Sequence, residues 1–483
     1  MKSLFVELCC LGVVLLNGII ADGAETSERP PNILFVLIDD LGWSDLGCYG
    51  SRFHETPNID RFAEQGMRFT DFYAAGAVCS PTRASIQSGQ NQARLGITDF
   101  IPGHRRPFAP LIVPEVTGAL PSEIVTPAEM LKRKGYTTGY FGKWHLGNRE
   151  QEPDSQGYDV SLVTNGGHHA PRFRTNPPVD VPDGTYLADF LTDQTIGFMR
   201  ENQEQPFFAF LSHYAVHIPL DANEDLIKKY ENKTKPEGGV NNPIYAAMVE
   251  HVDRSFAKLM QAIEELGLGQ NTIVIFTSDN GGLYQSASLG GPIVCSNAPL
   301  RDEKGTLYEG GIRVPLIVRW PGKVQPGTVC NEPTISTDFW PTFAELARVD
   351  DFEHQTIDGV SLLPLLRDPN ANLDRSALHF HFPHYHHSRP AGAIRKGPWK
   401  LIEFFEDEKL ELYNLEDDLS EARNLLDENS RTKETHQRIA TQLQRELADW
   451  RVSINAKMPT KNPKHDPGRE MEILRKRRAG KKR

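Results

Sequence analysis

The feature that most constrains this chain is a set of short, unbroken apolar runs that stop abruptly at polar residues. Asn32-Ile33-Leu34-Phe35-Val36-Leu37-Ile38 ends at Asp39-Asp40, and Asn271-Thr272-Ile273-Val274-Ile275-Phe276-Thr277 is followed closely by Asp279-Asn280-Gly281-Gly282. Neither run alternates, and both are rich in branched residues, as expected of strands covered on both faces. Pro206 to Leu211 reads the same way, and Val314 to Trp320 is a weaker fourth. Helical signals lie between them. Thr126-Pro127-Ala128-Glu129 offers a Thr cap, Pro in the first turn and Glu three residues after the cap, with an end expected near Gly135. Ile244 to Leu266 and Asp338 to Val349 carry apolar residues at helical spacing. Strands alternating with helices over 30–368 predict an α/β domain with a large, mostly parallel sheet sandwiched by helices.

The pattern changes near Arg367-Asp368-Pro369-Asn370. Leu378 to Phe382, Ala391 to Arg395, Trp399 to Phe405 and Lys409 to Tyr413 are short and alternating, and Thr432 to Trp450 is helical. Residues 375–452 are therefore expected to form a small C-terminal subdomain, an antiparallel sheet plus a helix. The stretch 455–483 is polar, ends in a basic cluster, and is expected to be an unstructured tail. At the other end, Lys2, the apolar stretch from Leu8 to Ile20 and the small residues at Ala21 to Ala24 have the order of an export signal over 1–24. That run is too short to span a bilayer. The expectation is export to the periplasm or the outside, with no integral membrane segment after signal removal. Of six cysteines, Cys48, Cys79, Cys295 and Cys330 lie beyond the signal, too few for a disulfide scaffold. The net charge of −11 excludes a general nucleic-acid binder. An anionic substrate would require a local cationic pocket, which screening over about 8 Å permits.

Three segments carry chemistry. Asp39-Asp40 and Asp279-Asn280 follow strands, where ligands of α/β sheets collect. Together they form an all-oxygen set suited to a hard cation such as calcium or magnesium. In Cys79-Ser80-Pro81-Thr82-Arg83, Ser80 can cap a helix, Pro81 occupies the first turn and Gly89 can close it. Cys79 is then at a helix N-terminus that favours an anion, with Arg83 one turn on. Histidines gather in Asn165-Gly166-Gly167-His168-His169 and in His379-x-His381-x-x-His384-x-His386-His387. Their spacing matches no common zinc site, and His168 and His384 are read as substrate-rim residues.

Cys79-x-Pro81-x-Arg83, followed by Ala84-Ser85 and Ser88-Gly89, resembles the signature of the type I sulfatases of the alkaline-phosphatase-like superfamily. The resemblance runs from Asn32 to about Asn424, through Lys396-Gly397-Pro398-Trp399-Lys400-Leu401 and Leu412-Tyr413-Asn414-Leu415. It implies that a dedicated formylglycine-generating enzyme oxidises Cys79 to formylglycine. It also implies that Asp39, Asp40, Asp279, Asn280 and the modified Cys79 hold calcium. Lys143 and His145, in Gly142-Lys143-Trp144-His145, match the family's Lys-x-His pair. His217, in Val216-His217-Ile218-Pro219, matches the histidine near the leaving group and is preferred to His213. Lys304 matches the second sulfate-binding lysine. The catalytic set so implied is Cys79, Arg83, Lys143, His145, His217 and Lys304, with Lys143, His217 and Lys304 also binding substrate. The expected substrate is a sulfated polysaccharide or oligosaccharide. Two other readings stay open: a phosphodiesterase or phosphonate hydrolase of the same superfamily, and an inactive secreted glycan-binding protein.

Overall fold

The computed structural model describes residues 29–285, 293–349, 355–427 and 433–472. The export-signal expectation and the basic C-terminal cluster lie outside them. Among the described residues no helix is long and apolar enough to cross a membrane.

Nine strands form the central sheet: β1 Asn32–Ile38, β2 Met67–Phe69, β3 Thr137–Gly142, β4 Val160–Gly166, β5 Phe173–Asn176, β6 Phe207–Ser212, β7 Thr272–Ser278, β8 Leu316–Arg319 and β9 Thr328–Cys330. Their order is β9-β2-β8-β7-β1-β6-β3-β4-β5. The central neighbours β7, β1, β6, β3 and β4 are parallel. β8 departs from that pattern and runs antiparallel to both β7 and β2. Every residue of β1 and β7 is buried, which is why their sequences are continuous apolar runs rather than alternating ones. Each large side chain so buried contributes about 1.5–3 kcal/mol, so the two central strands alone anchor the domain.

Helices cover both faces. On one side α3 Leu187–Glu201 and α4 Pro243–Glu265 pack on Val36, Leu211 and Phe276. On the other, α2 Pro127–Lys132 and α5 Phe339–Leu346 pack on Phe35, Phe210 and Ile275. Thr126 and Glu129 form the expected reciprocal cap of α2. β10 Leu378–Phe382, β11 Ala391–Lys396, β12 Trp399–Phe404 and β13 Leu410–Asn414 make the expected antiparallel sheet. One face of this sheet packs on Ala77, Val78 and Leu307 of the large domain. Its other face is covered by α6 Lys433–Ser453 through Leu443 and Leu447. The small sheet thus backs directly onto the segment carrying Cys79.

The expectation of an unstructured stretch from Asn455 is corrected for its described part. Thr460–Lys461 pairs with Leu111–Ile112, and Asn462 Nδ2 donates to the carbonyls of Pro107 (3.0 Å) and Ala109 (2.7 Å). Arg469 lies over the Phe108 ring. Backbone pairing and cation–π contact need no apolar run, so polar composition hid this return strap.

Candidate active site

The sheet order sets β7, β1, β6 and β3 side by side, so their C-terminal ends line up. Those ends deliver Asp279 and Asn280, then Asp39 and Asp40, then Ser212, then Lys143. Gly142 makes the last delivery possible. Its φ is +120°, and a Cβ there would lie 1.8 Å from the Ser212 carbonyl, so only glycine closes the turn. Asp40 (φ 63°) and His145 (φ 59°) also hold left-handed backbone. Such conformations cost about 1–3 kcal/mol and persist where surrounding structure enforces them, often at functional sites.

Facing these ends is the helix α1, Cys79–Ser88, closed by Gly89 at φ 67°. The expected Ser80 cap is corrected. The helix starts two residues earlier with Val78 in the cap position, and no side chain caps it. Ser80 Oγ is drawn off instead, donating to the His145 carbonyl (2.8 Å) and accepting from Ile101 N (3.1 Å). The consequence is to place Cys79 itself in the first helical turn and to tie that turn to the Lys143–His145 segment.

Three cations meet three buried carboxylates here. Arg83 Nε donates to Asp279 Oδ2 at 2.8 Å, and Nη2 lies 2.7 Å from the same oxygen. Nη1 donates to Ser212 Oγ and the Lys143 carbonyl, both at 2.6 Å. Lys143 Nζ contacts Asp39 Oδ2 at 2.5 Å, and Lys304 Nζ contacts Asp40 Oδ1 at 2.5 Å. Cys79 Sγ lies between both ammonium groups, 3.4 Å from each, and donates to Asp39 Oδ1 at 3.3 Å. This is the local cationic pocket that an acidic chain needs for an anionic substrate.

The environment separates the titrating groups. Burial would raise Asp39, but Lys143, His217, Arg83 and Lys304 together hold it well below the usual carboxylate range. Burial pushes Asp279 up to about 6, reinforced by Asp39 and offset in part by Arg83. Burial and the Asp39 charge push the Cys79 thiol up to about 12 against the pull of both lysines. An unmodified Cys79 is therefore a neutral thiol near pH 7 and a poor nucleophile.

The donor set fits a hard divalent cation. Asp39, Asp40, Asp279 and Asn280 are all buried, and Asp40 Oδ2 and Asn280 Oδ1 have no protein hydrogen-bond partner. Buried oxygens without partners are costly unless something binds them. Asn280 Nδ2 donates to Asp40 Oδ1 (2.8 Å) and Asp40 N to Asp279 Oδ1 (3.3 Å), which locks the two pairs together. Donor atoms of Asp39, Asp40, Cys79 and His217 lie within 4.8 Å of one another. Asp279 is not in that closest group, and its Oδ2 is held by Arg83.

The histidines sort by their hydrogen bonds. His145 Nε2 donates to the Ile101 carbonyl at 2.8 Å, leaving a buried Nδ1 without a partner. Burial, then Lys143, lowers its pKa to about 3, so this nitrogen is a free acceptor. His217 Nδ1 donates to the Ile218 carbonyl at 2.5 Å, and Nε2 faces Asp40 Oδ2 at 3.8 Å. Burial, with help from Lys304, lowers His217 to about 4. His213 is fully buried and stands outside the group around Asp40, so of the two histidines it is His217 that reaches the site. The rim expectation for His168 and His384 meets buried side chains. Both are 1% exposed, with His168 Nε2 on the His217 carbonyl (2.8 Å) and His384 Nε2 on Thr98 Oγ1 (2.7 Å). In each ring Nε2 is taken up by the protein. Two contributors escaped the sequence reading: Ser212, which holds Arg83, and Tyr214, whose ring lies 5.0 Å from that of His217. Ser212 carried the signal of Asp39 and Asp279, a polar residue closing an apolar run.

Comparison with known proteins decides the family. Residues 31–349 match the family model described as Sulfatase. The chain belongs to the sulfatase family. It is a sulfuric ester hydrolase of type I, in the alkaline-phosphatase-like superfamily. Residues 302–453 of this sulfatase also match the model described as N-sulphoglucosamine sulphohydrolase, C-terminal. It is 32% identical to a sulfatase of Formosa agariphila over 89% of this chain and 90% of that protein. It is 35% identical to human arylsulfatase A over 77% and 74% of the two chains. The crystal structure of Ps i-CgsB in complex with k-i-k-neocarrahexaose is 27% identical, with a TM-score of 0.74, covering 94% of this sulfatase and 99% of that chain.

Proposed function

We propose that this protein is an exported hydrolase of sulfated polysaccharides or oligosaccharides, with a formylglycine at position 79 and calcium bound beside it. The observation that carries this reading is the convergence of Arg83, Lys143 and Lys304 around Cys79 Sγ at the strand ends. A carbohydrate substrate is supported by relatives whose names specify it: N-acetylgalactosamine-6-sulfatases 32–34% identical to this chain, and the neocarrahexaose complex above. Export rests on the order of charged, apolar and small residues over 1–24. We assign catalysis to 30–368, with 375–452 completing the wall behind Cys79.

Asp39, Asp40, Asp279 and Asn280 would hold the calcium, which supplies positive charge that polarises oxygens and lowers the pKa of a hydroxyl. A formylglycine at position 79 would, as its hydrate, supply two hydroxyls, one a nucleophile toward sulfur and the other an internal route to sulfate release that needs no outside water. The chain's own residues do the rest. Lys143, Lys304 and Arg83 hold negative charge on the sulfuryl oxygens, each such donor being worth about 3 kcal/mol in the transition state. Asp279 accepts the proton of the attacking hydroxyl. The free Nδ1 of His145 accepts the second proton. The Asp40 carboxylate and the bound anionic ester favour the doubly protonated His217, whose Nε2–H then gives a proton to the leaving alcohol; the Lys304 ammonium is the other donor.

The test is sulfate release from a panel of defined sulfated saccharides by protein made with a formylglycine-generating enzyme, beside turnover of 4-nitrophenyl sulfate and phosphate. Release from at least one saccharide, with sulfate preferred to phosphate, is expected. Faster phosphate cleavage would favour the phosphodiesterase reading, and no release from any ester the binding-protein reading.

A further inference from the structure

His168 sits in a segment expected at the substrate rim, yet its side chain is buried and its Nε2 is bound within the protein. Its imidazole is packed between two phenol rings. Tyr214 stacks on it at 4.9 Å between centroids and 29° between planes, and Tyr186 at 6.1 Å and 22°. Tyr186 stacks in turn on His251 at 4.0 Å. The stack begins at the site, since Tyr214 lies 5.0 Å from the His217 ring. The His168 backbone is fixed as well, because its carbonyl accepts from Leu187 N, the first residue of α3, at 2.7 Å.

What this buried ring touches is the backbone of His217. Nε2 of His168 lies 2.8 Å from the His217 carbonyl. A carbonyl can only accept, so the proton is on Nε2 and the tautomer is set. The next carbonyl, Ile218, accepts from Tyr214 Oη (2.9 Å) and from His217 Nδ1 (2.5 Å). The orientation of the His217 ring is thus set by two consecutive carbonyls, one held by His168 and one by its stacking partner. Further along, His169 grips the same loop, with Nδ1 3.0 Å from Asp221 Oδ2 and Nε2 3.0 Å from Asn223 Oδ1. The Asn165–His169 segment is a frame for the loop that carries His217.

We propose that His168 is a positioning residue that aims His217 Nε2 at the leaving-group oxygen by holding the His217 carbonyl. This rests on the assignment of His217 to the leaving group above. Ring-to-backbone coupling of this kind matters because a misplacement of about 1 Å at a reacting group can cost 100-fold.

The test compares His168→Phe, which keeps a stacking ring and removes the N–H, with His168→Gln, whose amide can restore a donor. Each is assayed on phenyl sulfate, a poor leaving group that needs proton donation, and on 4-nitrophenyl sulfate, a good one that needs little. His168→Phe should lower kcat on phenyl sulfate by about tenfold with little change in KM, and at least about fivefold less on the nitrophenyl ester. His168→Gln should recover most of the loss. Equal losses on both esters, no loss on either, or no recovery with Gln would overturn the proposal. His217→Ala is run alongside. Equal loss on both esters for His217→Ala would overturn the leaving-group assignment itself. A selective His217→Ala beside an unselective His168→Phe would overturn only the role of His168.

Discussion

Two buried charge clusters in this molecule each set three carboxylates against three cations and have opposite fates. At the strand ends, Asp39, Asp40 and Asp279 face Arg83, Lys143 and Lys304. Behind them, where the small sheet meets the large domain, Asp71, Glu309 and Glu421 face Arg313, Arg395 and Lys400. In the second cluster every carboxylate oxygen lies against a cation or a donor, Glu421 Oε1 through its ion-pair contact with Lys400 alone. Glu309 takes Lys400 on Oε1 (2.8 Å) and Tyr73 and Arg313 on Oε2 (2.7 and 3.1 Å), while Glu421 takes Lys400 (2.9 Å) and the Glu309 N–H (2.6 Å). The first cluster leaves Asp40 Oδ2, Asn280 Oδ1 and His145 Nδ1 without hydrogen-bond partners and puts a small reactive side chain in the middle. The lesson is that three paired charges bind two layers when every oxygen is used, and prepare a reaction centre when some are withheld.

That contrast can be broken by swapping which cluster is damaged. Lys400→Met leaves two buried carboxylates without their shared cation and should destabilise the protein by about 3–5 kcal/mol, read as a fall in denaturation midpoint. Lys304→Met should leave the midpoint of the metal-loaded protein within about 1 kcal/mol and lower kcat/KM about 10²–10³-fold. Equal stability losses in the two variants would remove the distinction.

A finer cut uses pH. Burial pushes Glu421 up to about 7, with Lys400 opposing and Glu309 reinforcing, whereas the Lys400, Arg313 and Arg395 cations overcome burial and hold Glu309 at about 2. One ammonium group cannot neutralise two carboxylates, and Glu309 wins because it has the extra guanidinium partners. A carboxyl whose pKa is raised on folding stabilises fully below its unfolded value of 4.5 and loses that contribution as pH rises to about 7. Glu309 has the opposite sign, its stabilisation being lost as pH falls from 4.5 toward about 2. Buried histidines such as His145 and His217, whose pKa values are lowered, act in the opposite direction below about pH 6.5, so the Glu421 effect is read as a difference: relative to Glu421→Gln, the protein should lose stability as pH rises from about 5 to about 8.

The contrast also explains what the sequence could reveal. Strands β1, β6 and β7 are legible because full burial forces unbroken apolar runs, and their polar terminators mark Asp39, Asp40, Asp279 and Asn280 as site residues. β3 escaped because Gly139 and Gly142 interrupt its run, each for a local reason. A Cβ on Gly139 would come within 3.0 Å of Phe198 in α3, and one on Gly142 would strike Ser212. Cys79 and Arg83 were legible as a motif. The partners of His168 and His384 were not, because a buried histidine serving a backbone carbonyl or a Thr hydroxyl has the same letters as one serving a sugar. The Glu309–Lys400–Glu421 cluster joins Glu309 to two residues more than 90 positions further along the chain, beyond the reach of any local pattern.

The most direct measurement is the mass of the Cys79 peptide set against turnover, in preparations made with and without a formylglycine-generating enzyme. Turnover of a sulfate ester should rise in proportion to the fraction of position 79 converted to the aldehyde, and Cys79→Ala should be inactive while remaining folded. Full activity in protein carrying only the thiol, or in Cys79→Ala, would contradict the account.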